Sequence, residues 1–438
     1  MHPRNPYRIP PDFSQLAKVY PALEPCIISY SGGFSIDFKN ETSQRRLTEA
    51  LLHRDFGIRL NLPLNRLCPP VPNRLNYVLW LQDIIHTTEF LGNMSVLGLD
   101  IGTGASAIYP LLSCKLNPDW SFLATDVDKF SLSCAQSNIE RNGLADRIQV
   151  FETTPEAPIF APFHQDPNLK ADFTMCNPPF YSSRDDVSAS ADSKEFEPNA
   201  VCTGADVEMI TEGGESSFVR RMVDESVEIG QRCRWYTSML GKMSSLTEVI
   251  GAIRGHGIQN YGITEFIQGF TRRWAVVWSF SDLRISDTVA RIANPQLQNL
   301  MPPRNTLRQA IRVPTPDKQR LVNILSEALA AVEGARVVNA EISDDSSSSR
   351  FIIYASKNTW SRAARRKNKQ GGPLADPTAV EASVPNLIAS LQWIFGDKGA
   401  AGGSETFLEC QWIQGKDRNL FEGFASHISR KVSEAISH

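Results

Sequence analysis

The chain has 438 residues, of which 42% are hydrophobic and 21% charged, a composition that excludes a fibre or a wholly disordered chain. The length predicts two domains, and no stretch reaches the roughly 18 uninterrupted apolar residues of a membrane-spanning helix. The formal net charge of −3 conceals an acidic part, residues 1–289 with 26 Lys and Arg and 34 Asp and Glu, and a basic part, residues 290–438 with 19 and 14. These parts carry net charges of −8 and +5, which predicts an interaction module attached to a different unit.

Strands and helices alternate through the middle of the chain, which predicts a mostly parallel sheet covered on both faces. Apolar runs predict about seven strands, at 96–100, 120–125, 148–151, 172–176, 233–240, 261–267 and 273–280. Helical patterns lie between them, at 106–115, 129–141, 218–230 and 246–256. Residues 181–215 are rich in Ser, Asp and Gly, and so long an aperiodic segment is expected to be a functional loop or disordered.

The first domain is expected to span residues 1–285, followed by a proline-containing linker at 286–316. The remainder, 317–438, is predicted to be a compact α+β module. Its patterns predict helices at 317–332 and from about residue 418, and strands at 336–342, 351–356 and 407–413. Residues 386–395 fit either a strand or a helix.

The cysteines and histidines show no spacing typical of a metal site. The eight cysteines include no CxxC pair, and the seven histidines include no HxH or HxxxH pair. We therefore expect reduced thiols in an intracellular compartment, no disulfide framework and no metal. The N-terminal residues lack an apolar signal segment, so secretion is not expected.

A glycine-containing loop follows the first predicted strand of the sheet. Gly102 and Gly104 come directly after Asp100, and Asp126 ends the next strand. Ligands bind beyond the carboxyl ends of such strands, where glycines allow close approach and an acid accepts ribose hydroxyls. A dinucleotide would need a third glycine, where Ala107 stands, and Asp100 would repel its phosphates. S-adenosylmethionine, a phosphate-free cation, fits better, although a lone GxG can also be an ordinary tight turn.

A second motif, Asn177-Pro178-Pro179-Phe180, ends the fourth predicted strand. The prolines predict a rigid turn without backbone donors. The Asn177 side-chain oxygen and the Pro178 carbonyl could accept both hydrogens of an exocyclic amine such as adenine N6, and Phe180 could stack on the base. Positioning alone would then favour methyl transfer. The alternatives are an ordinary turn or a glutamine-amide methyltransferase, in which the fourth residue is usually Tyr.

Residues 1–282 resemble the methyltransferase-like protein 16 family, adenosine-N6 methyltransferases of U6 small nuclear RNA whose bacterial relatives modify large-subunit ribosomal RNA. The resemblance is carried by PPDF at 10–13, VPNRLNY at 71–77, DIGTGAS at 100–106, CNPPF at 176–180, EGGE at 212–215, RWY at 234–236 and MLGK at 239–242. It implies a Rossmann-like, seven-stranded class I methyltransferase domain, S-adenosylmethionine as cofactor and S-adenosylhomocysteine as product.

The resemblance also implies roles for single residues. Arg74 would reach the methionine carboxylate of the cofactor, Asp126 its ribose, and the glycines of 212–215 would form a hinge. The full set of expected cofactor-binding residues is Arg74, Asp100, Gly102, Thr103, Gly104, Asp126 and Asn177. The expected catalytic residues are Asn177, Pro178, Pro179 and Phe180. In this part of the chain the expected RNA contacts are Arg4, Arg8 and Arg273.

Two positions and one segment depart from the family pattern. Asp126 stands where Glu is usual, which shortens the side chain. Phe270 stands where an arginine is expected, unless Arg272 substitutes for it. The basic cluster expected in the 181–215 segment is reduced to Arg184 and Lys194.

A basic segment follows Trp360, with the cations Arg362, Arg365, Arg366, Lys367 and Lys369. Such a cluster favours sequence-independent binding to RNA phosphates. A solvated loop or a nuclear-import signal are the alternatives. The order of elements in the C-terminal module is compatible with kinase-associated-1-like domains, which bind U6 RNA in family members.

The sequence therefore predicts a monomeric, S-adenosylmethionine-dependent RNA adenosine-N6 methyltransferase. It is expected in the nucleus, with the cytoplasm as an additional location left open. Its expected partner is structured RNA, with U6 as the first candidate. Neither membrane binding nor a bound metal is expected. The alternatives are a ribosomal or messenger RNA adenine-N6 methyltransferase, a protein-glutamine methyltransferase, and a non-catalytic RNA-binding splicing or translation factor.

Overall fold

The structure is a computed structural model that describes residues 1–87, 95–187, 204–269, 271–311, 317–341, 349–361, 364, 385–395 and 406–437. The chain forms two compact units. The first comprises Met1–Ser281 and Val289–Pro302, and the second Asp282–Thr288 and Pro303–His438. None of the helices in the described ranges combines the length and apolar character that a bilayer crossing requires.

The first unit begins with elements that precede its main sheet. They are α1 (Phe13–Val19), the antiparallel hairpin of β1 (Ile27–Tyr30) and β2 (Gly33–Ile36), α2 (Glu41–Phe56) and α3 (Val71–His86). Helix α3 is buried along most of its length, and it carries Arg74 on its first turns. Trp80 of this helix donates a hydrogen bond of 2.8 Å to the carbonyl of Val289.

The main sheet of the first unit has seven strands. They are β3 (Val96–Ile101), β4 (Trp120–Asp126), β5 (Ile148–Glu152), β6 (Ala171–Cys176), β7 (Cys233–Leu240), β8 (Tyr261–Gln268) and β9 (Thr271–Trp278). Their order is β5-β4-β3-β6-β7-β9-β8, with β9 antiparallel to both neighbours and the other pairs parallel. This doubly wound order confirms the expected Rossmann-like architecture, and it places the ends of β3, β4 and β6 side by side.

Helices connect these strands and complete the core. They are α4 (Ile108–Leu116), α5 (Lys129–Arg141), α6 (Ala161–Gln165), α7 (Asp206–Met209), α8 (Gly214–Ile229) and α9 (Met243–Gly255). All six residues of β6 are buried, as in a parallel strand covered on both faces. Trp235, Trp274 and Trp278 are at most 6% exposed and belong to the core.

The second unit contains a five-stranded antiparallel sheet and two helices. The strands are β10 (Thr306–Ile311), β11 (Ala335–Glu341), β12 (Ser349–Ala355), β13 (Leu387–Phe395) and β14 (Thr406–Gly415), in the order β10-β14-β13-β12-β11. Helices α10 (Lys318–Ala330) and α11 (Arg418–Ser437) share one core with alternate residues of the strands. The unit is α+β, and residues 387–395 form a strand. Its likeness to kinase-associated-1 domains stays a prediction.

The structure contradicts the linker predicted at 286–316. Residues 289–302 pack on the first unit, where Ile263 N donates to the Ala290 carbonyl at 3.3 Å and Tyr261 Oη donates to the Leu300 carbonyl at 3.1 Å. Gly262 makes this approach possible, because a Cβ there would lie 2.4 Å from the Ala290 side chain. Residues 306–311 form β10 of the second unit. Local sequence patterns predict neither the packing of 289–302 nor strand β10, because the residues that these segments pack against lie elsewhere in the chain.

None of the seven cysteines among the described residues forms a disulfide. In the same ranges, no group of three or more His, Cys, Asp and Glu side chains is arranged to hold a metal ion.

Candidate active site

The glycine loop after β3 is held by the end of β4. Gly102 and Gly104 have φ values of +70° and +64°, a conformation that favours glycine. Thr103 N donates to the Thr125 carbonyl at 2.9 Å, and Gly104 N donates to Asp126 Oδ2 at 2.8 Å. The loop therefore needs both glycines, and Asp126 holds it in place.

A cavity of about 280 Å³ opens beside this loop. Its lining includes six of the seven residues expected to bind the cofactor, namely Arg74, Gly102, Thr103, Gly104, Asp126 and Asn177. Asp126 accepts a second backbone hydrogen bond, from Asp128 N at 2.9 Å to Oδ1, and burial raises its pKa. The topology therefore brings together residues from α3, β3, β4 and β6.

Asp100 lies beneath the cavity and is absent from its lining. It is 1% exposed, and neither of its carboxylate oxygens has a hydrogen-bond partner among the described residues. Burial raises the pKa of Asp100 to about 7, and the neighbouring Thr103 hydroxyl opposes this rise. A buried carboxylate without a partner is costly, so a cation bound next to it would be stabilised. This suits the positively charged cofactor expected from the sequence.

Arg74 is one of two arginines that line the cavity, the other being Arg221. The Arg74 side chain is 7% exposed, and it has no ion-pair partner among the described residues. Its guanidinium lies 5.5 Å from the centre of the Tyr109 ring, and its Nη1 donates to Asn177 Oδ1 at 3.3 Å. A buried arginine of this kind fits the carboxylate of an amino-acid ligand. Arg74 and Asp100 together match the two ends of a zwitterionic methionine moiety.

The Asn177–Phe180 turn leaves β6 at the rim of the cavity. The Tyr77 hydroxyl accepts a hydrogen bond from Cys176 N at 3.3 Å and shares another with Thr237 Oγ1 at 2.7 Å, which fixes the start of the turn. Asn177 and Pro179 line the cavity, whereas Pro178 and Phe180 do not. The turn therefore separates the cavity from a second surface, on which the Phe180 ring lies.

Arg273 borders that second surface. Its guanidinium lies 5.9 Å from the centre of the Phe180 ring. Burial lowers its pKa, and the like charge of Arg74 acts in the same direction. Arg272, the proposed substitute for an arginine at 270, pairs instead with Glu265 at 3.0 Å. Residue 270 itself lies outside the described residues.

The C-terminal part of the 181–215 segment forms another wall of the cavity. Tyr181 N donates to the Met209 carbonyl and Thr211 N to the Tyr181 carbonyl, each at 2.9 Å. Glu208 Oε2 accepts from Leu67 N and Ala205 N, also at 2.9 Å. Glu208 lines the cavity and burial raises its pKa. Sequence reasoning missed it because nothing distinguishes Glu208 from the other acids of this segment.

The remaining basic residues expected to bind RNA fall into three groups. Arg4 is engaged on α3, where it pairs with Asp83 and donates to Gln82 Oε1 at 2.9 Å. Arg8 is exposed and donates to the Pro3 carbonyl at 3.3 Å, and Arg184 pairs with Asp206. The others lie outside the described residues, namely Lys194, Arg362, Arg365, Arg366, Lys367 and Lys369.

Comparisons with known proteins agree with this geometry. A family described as RNA methyltransferase matches residues 1–282. The chain is 42% identical over 286 residues to the mouse RNA N(6)-adenosine-methyltransferase METTL16, a match that covers 64% of this chain and 52% of the mouse protein. It is 34% identical over 405 residues to the U6 small nuclear RNA (adenine-(43)-N(6))-methyltransferase of Schizosaccharomyces pombe, covering 91% and 95%.

Solved structures match the first unit. The catalytic domain of human METTL16 in complex with MAT2A 3′UTR hairpin 6 gives a TM-score of 0.59 at 41% identity, covering 64% of this chain and 98% of that one. The N-terminal domain of human METTL16 in complex with S-adenosylhomocysteine (SAH) gives 0.54 at 39%, covering 64% and 99%. The chain spans about half the length of the vertebrate relatives that it matches at 41–42% identity. On the family match and the full-length likeness to the yeast protein, the chain belongs to this family of RNA methyltransferases.

Proposed function

We propose that this chain is an S-adenosylmethionine-dependent RNA methyltransferase that methylates adenosine N6 in U6 small nuclear RNA. The observation that carries the proposal is the Asn177–Phe180 turn, whose Asn177 faces a cavity with Arg74 and Asp126 on its walls. The fission-yeast relative is named for adenine-N6 methylation of U6 RNA and the mouse relative for RNA adenosine-N6 methylation. These names support the proposed substrate, and the human domain in complex with SAH supports the proposed cofactor.

Arg74, Asp126 and the glycine loop hold the cofactor, which supplies an electrophilic methyl group when bound. Asn177 Oδ1 accepts one hydrogen bond from Arg74, and an amide oxygen has a second lone pair for a hydrogen of the adenine amine. The Pro178 carbonyl accepts the other hydrogen. Two fixed acceptors orient the nitrogen lone pair toward the methyl group, so positioning and electrostatics supply the catalysis. Phe180 stacks on the base, and Arg273 holds the neighbouring RNA.

The second unit, in this proposal, adds affinity for RNA. Arg336 is exposed, with its guanidinium 4.4 Å from the centre of the Tyr354 ring. Arg350 donates to Ser390 Oγ at 3.0 Å and to Gln411 Oε1 at 3.1 Å. Neither arginine has an ion-pair partner among the described residues. Arg350 and Tyr354 alternate with the core residues of β12, and Arg336 of β11 pairs with Tyr354 in the strand register. All three side chains therefore share the sheet face opposite the two helices. An exposed arginine beside an aromatic ring, with a second arginine on the same sheet face, suits RNA phosphates and bases.

Under the same proposal, the protein is a monomer that acts in the nucleus, where U6 RNA functions. An additional cytoplasmic pool is compatible with the proposal. The roles assigned to single residues, and the kinase-associated-1-like character of the second unit, form part of the proposal.

The test is to incubate the full chain with total RNA and S-adenosylmethionine labelled in its methyl group, and to map the labelled adenosine. Label at N6 of one U6 adenosine is the expected result. Label in a messenger RNA hairpin would favour the second candidate substrate, which the MAT2A hairpin complex of human METTL16 suggests. Label confined to ribosomal RNA, or none at all, would overturn the proposal.

A further inference from the structure

Glu215 is a buried carboxylate beside the surface formed by Phe180 and Arg273, here called the base surface, and none of the roles above includes it. It lies in the first turn of α8 and is 2% exposed. Its Oε2 accepts a hydrogen bond from Gly241 N, and its Oε1 accepts from Lys242 N and Ser245 Oγ, all at 2.7 Å. The side chain therefore joins the end of the 181–215 segment to the residues that begin α9.

Gly241 connects this carboxylate to Phe180. A Cβ on Gly241 would lie 3.1 Å from Glu215 Oε2 and 3.1 Å from Phe180 Cδ1, closer than ordinary van der Waals contact. The backbone of Gly241 is therefore packed between the carboxylate and the aromatic ring. A shift of Gly241 away from Glu215 would change the space available to the ring.

The residues around Glu215 complete this contact. Gly214, at φ +70°, lies so close to the turn that a Cβ there would be 3.6 Å from Ser182 N and 3.8 Å from the Phe180 carbonyl. On the other side, the Arg273 guanidinium lies 5.9 Å from the centre of the Phe180 ring. The charge of Glu215 partly offsets the lowering of the Arg273 pKa by burial. The same carboxylate thus acts on two groups of the base surface.

We propose that Glu215 is a positioning residue that fixes the Phe180 ring through Gly241, and thereby sets where the target adenine stacks. The inference rests on the proposed function, in which Phe180 carries the base. A reacting group displaced by about 1 Å can lose on the order of 100-fold in rate, so a residue that never touches the RNA can still control turnover. A residue that only capped α9 would affect folding and leave the turnover of the folded enzyme unchanged.

The test compares Glu215→Ala with the wild-type full chain on U6 RNA transcribed in vitro. We expect kcat to fall by about 10- to 100-fold, while the Kd values for SAH and for the RNA change by less than about threefold. Glu215→Gln, which keeps the shape and one acceptor oxygen, should recover part of this loss. Glu212→Gln is the matched control, because Glu212 is exposed in the same segment and should leave all three constants unchanged.

A second variant keeps the test informative if Glu215→Ala does not fold. Gly241→Ala retains the carboxylate but adds a methyl group against the Phe180 ring, and it should produce the same loss of kcat without loss of SAH binding. Where both variants fold, their effects should be far from additive, since they act on one contact. Wild-type turnover in either folded variant, or parallel losses of kcat and SAH affinity, would overturn the inference. A wild-type chain inactive on RNA would instead overturn the proposed function, and this inference with it.

Discussion

The two units differ in where they place polar side chains. In the first, residues from the ends of β3, β4 and β6 and from α3 converge on one cavity, with Arg74 and Asp100 buried and without ion-pair partners in the described ranges. In the second, Arg336 and Arg350 lie across one face of an antiparallel sheet, beside Tyr354 and polar residues. Convergent buried groups suit the orientation of a small ligand, whereas dispersed cations suit a long anionic polymer.

The largest expected effect tests the convergent unit. Asn177→Ala removes one of the two fixed acceptors, and we expect kcat to fall by about 100- to 1,000-fold, as when a preorganised hydrogen-bonding group is lost. RNA affinity should change by less than about threefold, because phosphate contacts are untouched. Tritiated-methyl transfer and filter binding measure the two quantities. Asn168→Ala, at an exposed asparagine, is the control. Retained turnover in Asn177→Ala would remove the assigned role.

Deleting the second unit tests the opposite side of the comparison. A chain ending at Pro302 keeps the first unit, since Val289–Pro302 belongs to it. We expect its RNA affinity to fall by about 100-fold, through loss of a tethered second contact, with a flatter salt dependence and an unchanged Kd for SAH. A chain ending at Ser281 should in addition melt at a lower temperature, because the apolar residues of 289–302 leave the core. If RNA binding by the full and shortened chains depends equally on salt, the second unit does not contribute to RNA affinity and has another function.

Asp100 should make cofactor binding depend on pH. Burial raises its pKa to about 7, so the ligand-free chain is half protonated there near neutrality. The α-ammonium group of SAH favours the ionised carboxylate. The Kd of SAH should therefore rise by up to about tenfold per pH unit below 7 and level off above it. Calorimetric titration between pH 5.5 and 8.5 measures this dependence, which Asp100→Asn should abolish.

The same shift has a consequence for folding. The folded chain holds a proton that the unfolded chain releases near the ordinary pKa of 3.8. The contribution of Asp100 to the free energy of unfolding is therefore most favourable at or below about pH 4 and is lost as the pH rises to about 7. Denaturant titrations of the wild type and Asp100→Asn should diverge over that range. Parallel curves would show that Asp100 is not protonated in the folded chain.

The smallest expected effect concerns single arginines of the second unit. Arg336→Ala should weaken RNA binding by about threefold and reduce the salt slope by about one, as expected for one phosphate contact, while kcat stays the same. Arg430→Ala is the matched control, because Arg430 pairs with Glu434 on α11 at 3.5 Å. If the two variants weaken RNA binding equally, positive charge contributes to binding wherever it lies on the second unit, and the sheet face has no special role.

Local patterns predicted the strands of the main sheet to within two or three residues, because apolar periodicity and turn residues act over short distances. The glycine loop and the Asn177–Phe180 turn were equally visible, since each depends on neighbouring residues. Contacts between distant segments were not predictable. The sequence shows that Arg4 is basic, but not that it forms an ion pair with Asp83. Glu208 lines the cavity only because its segment folds back to accept a hydrogen bond from Leu67 N. Local patterns do not reveal strand β10, because its partner, β14, follows about 100 residues later.

The return of Val289–Pro302 to the first unit has a consequence for synthesis. Domains tend to fold as units while the ribosome extends the chain. Here the first unit lacks part of its core, including Leu297 and Leu300, until residue 302 has left the ribosome. The first piece of the second unit, Asp282–Thr288, emerges earlier than that. The catalytic fold is therefore completed only after translation of its neighbour has begun, and a nascent chain released between the two would expose the apolar surface that this returning segment covers.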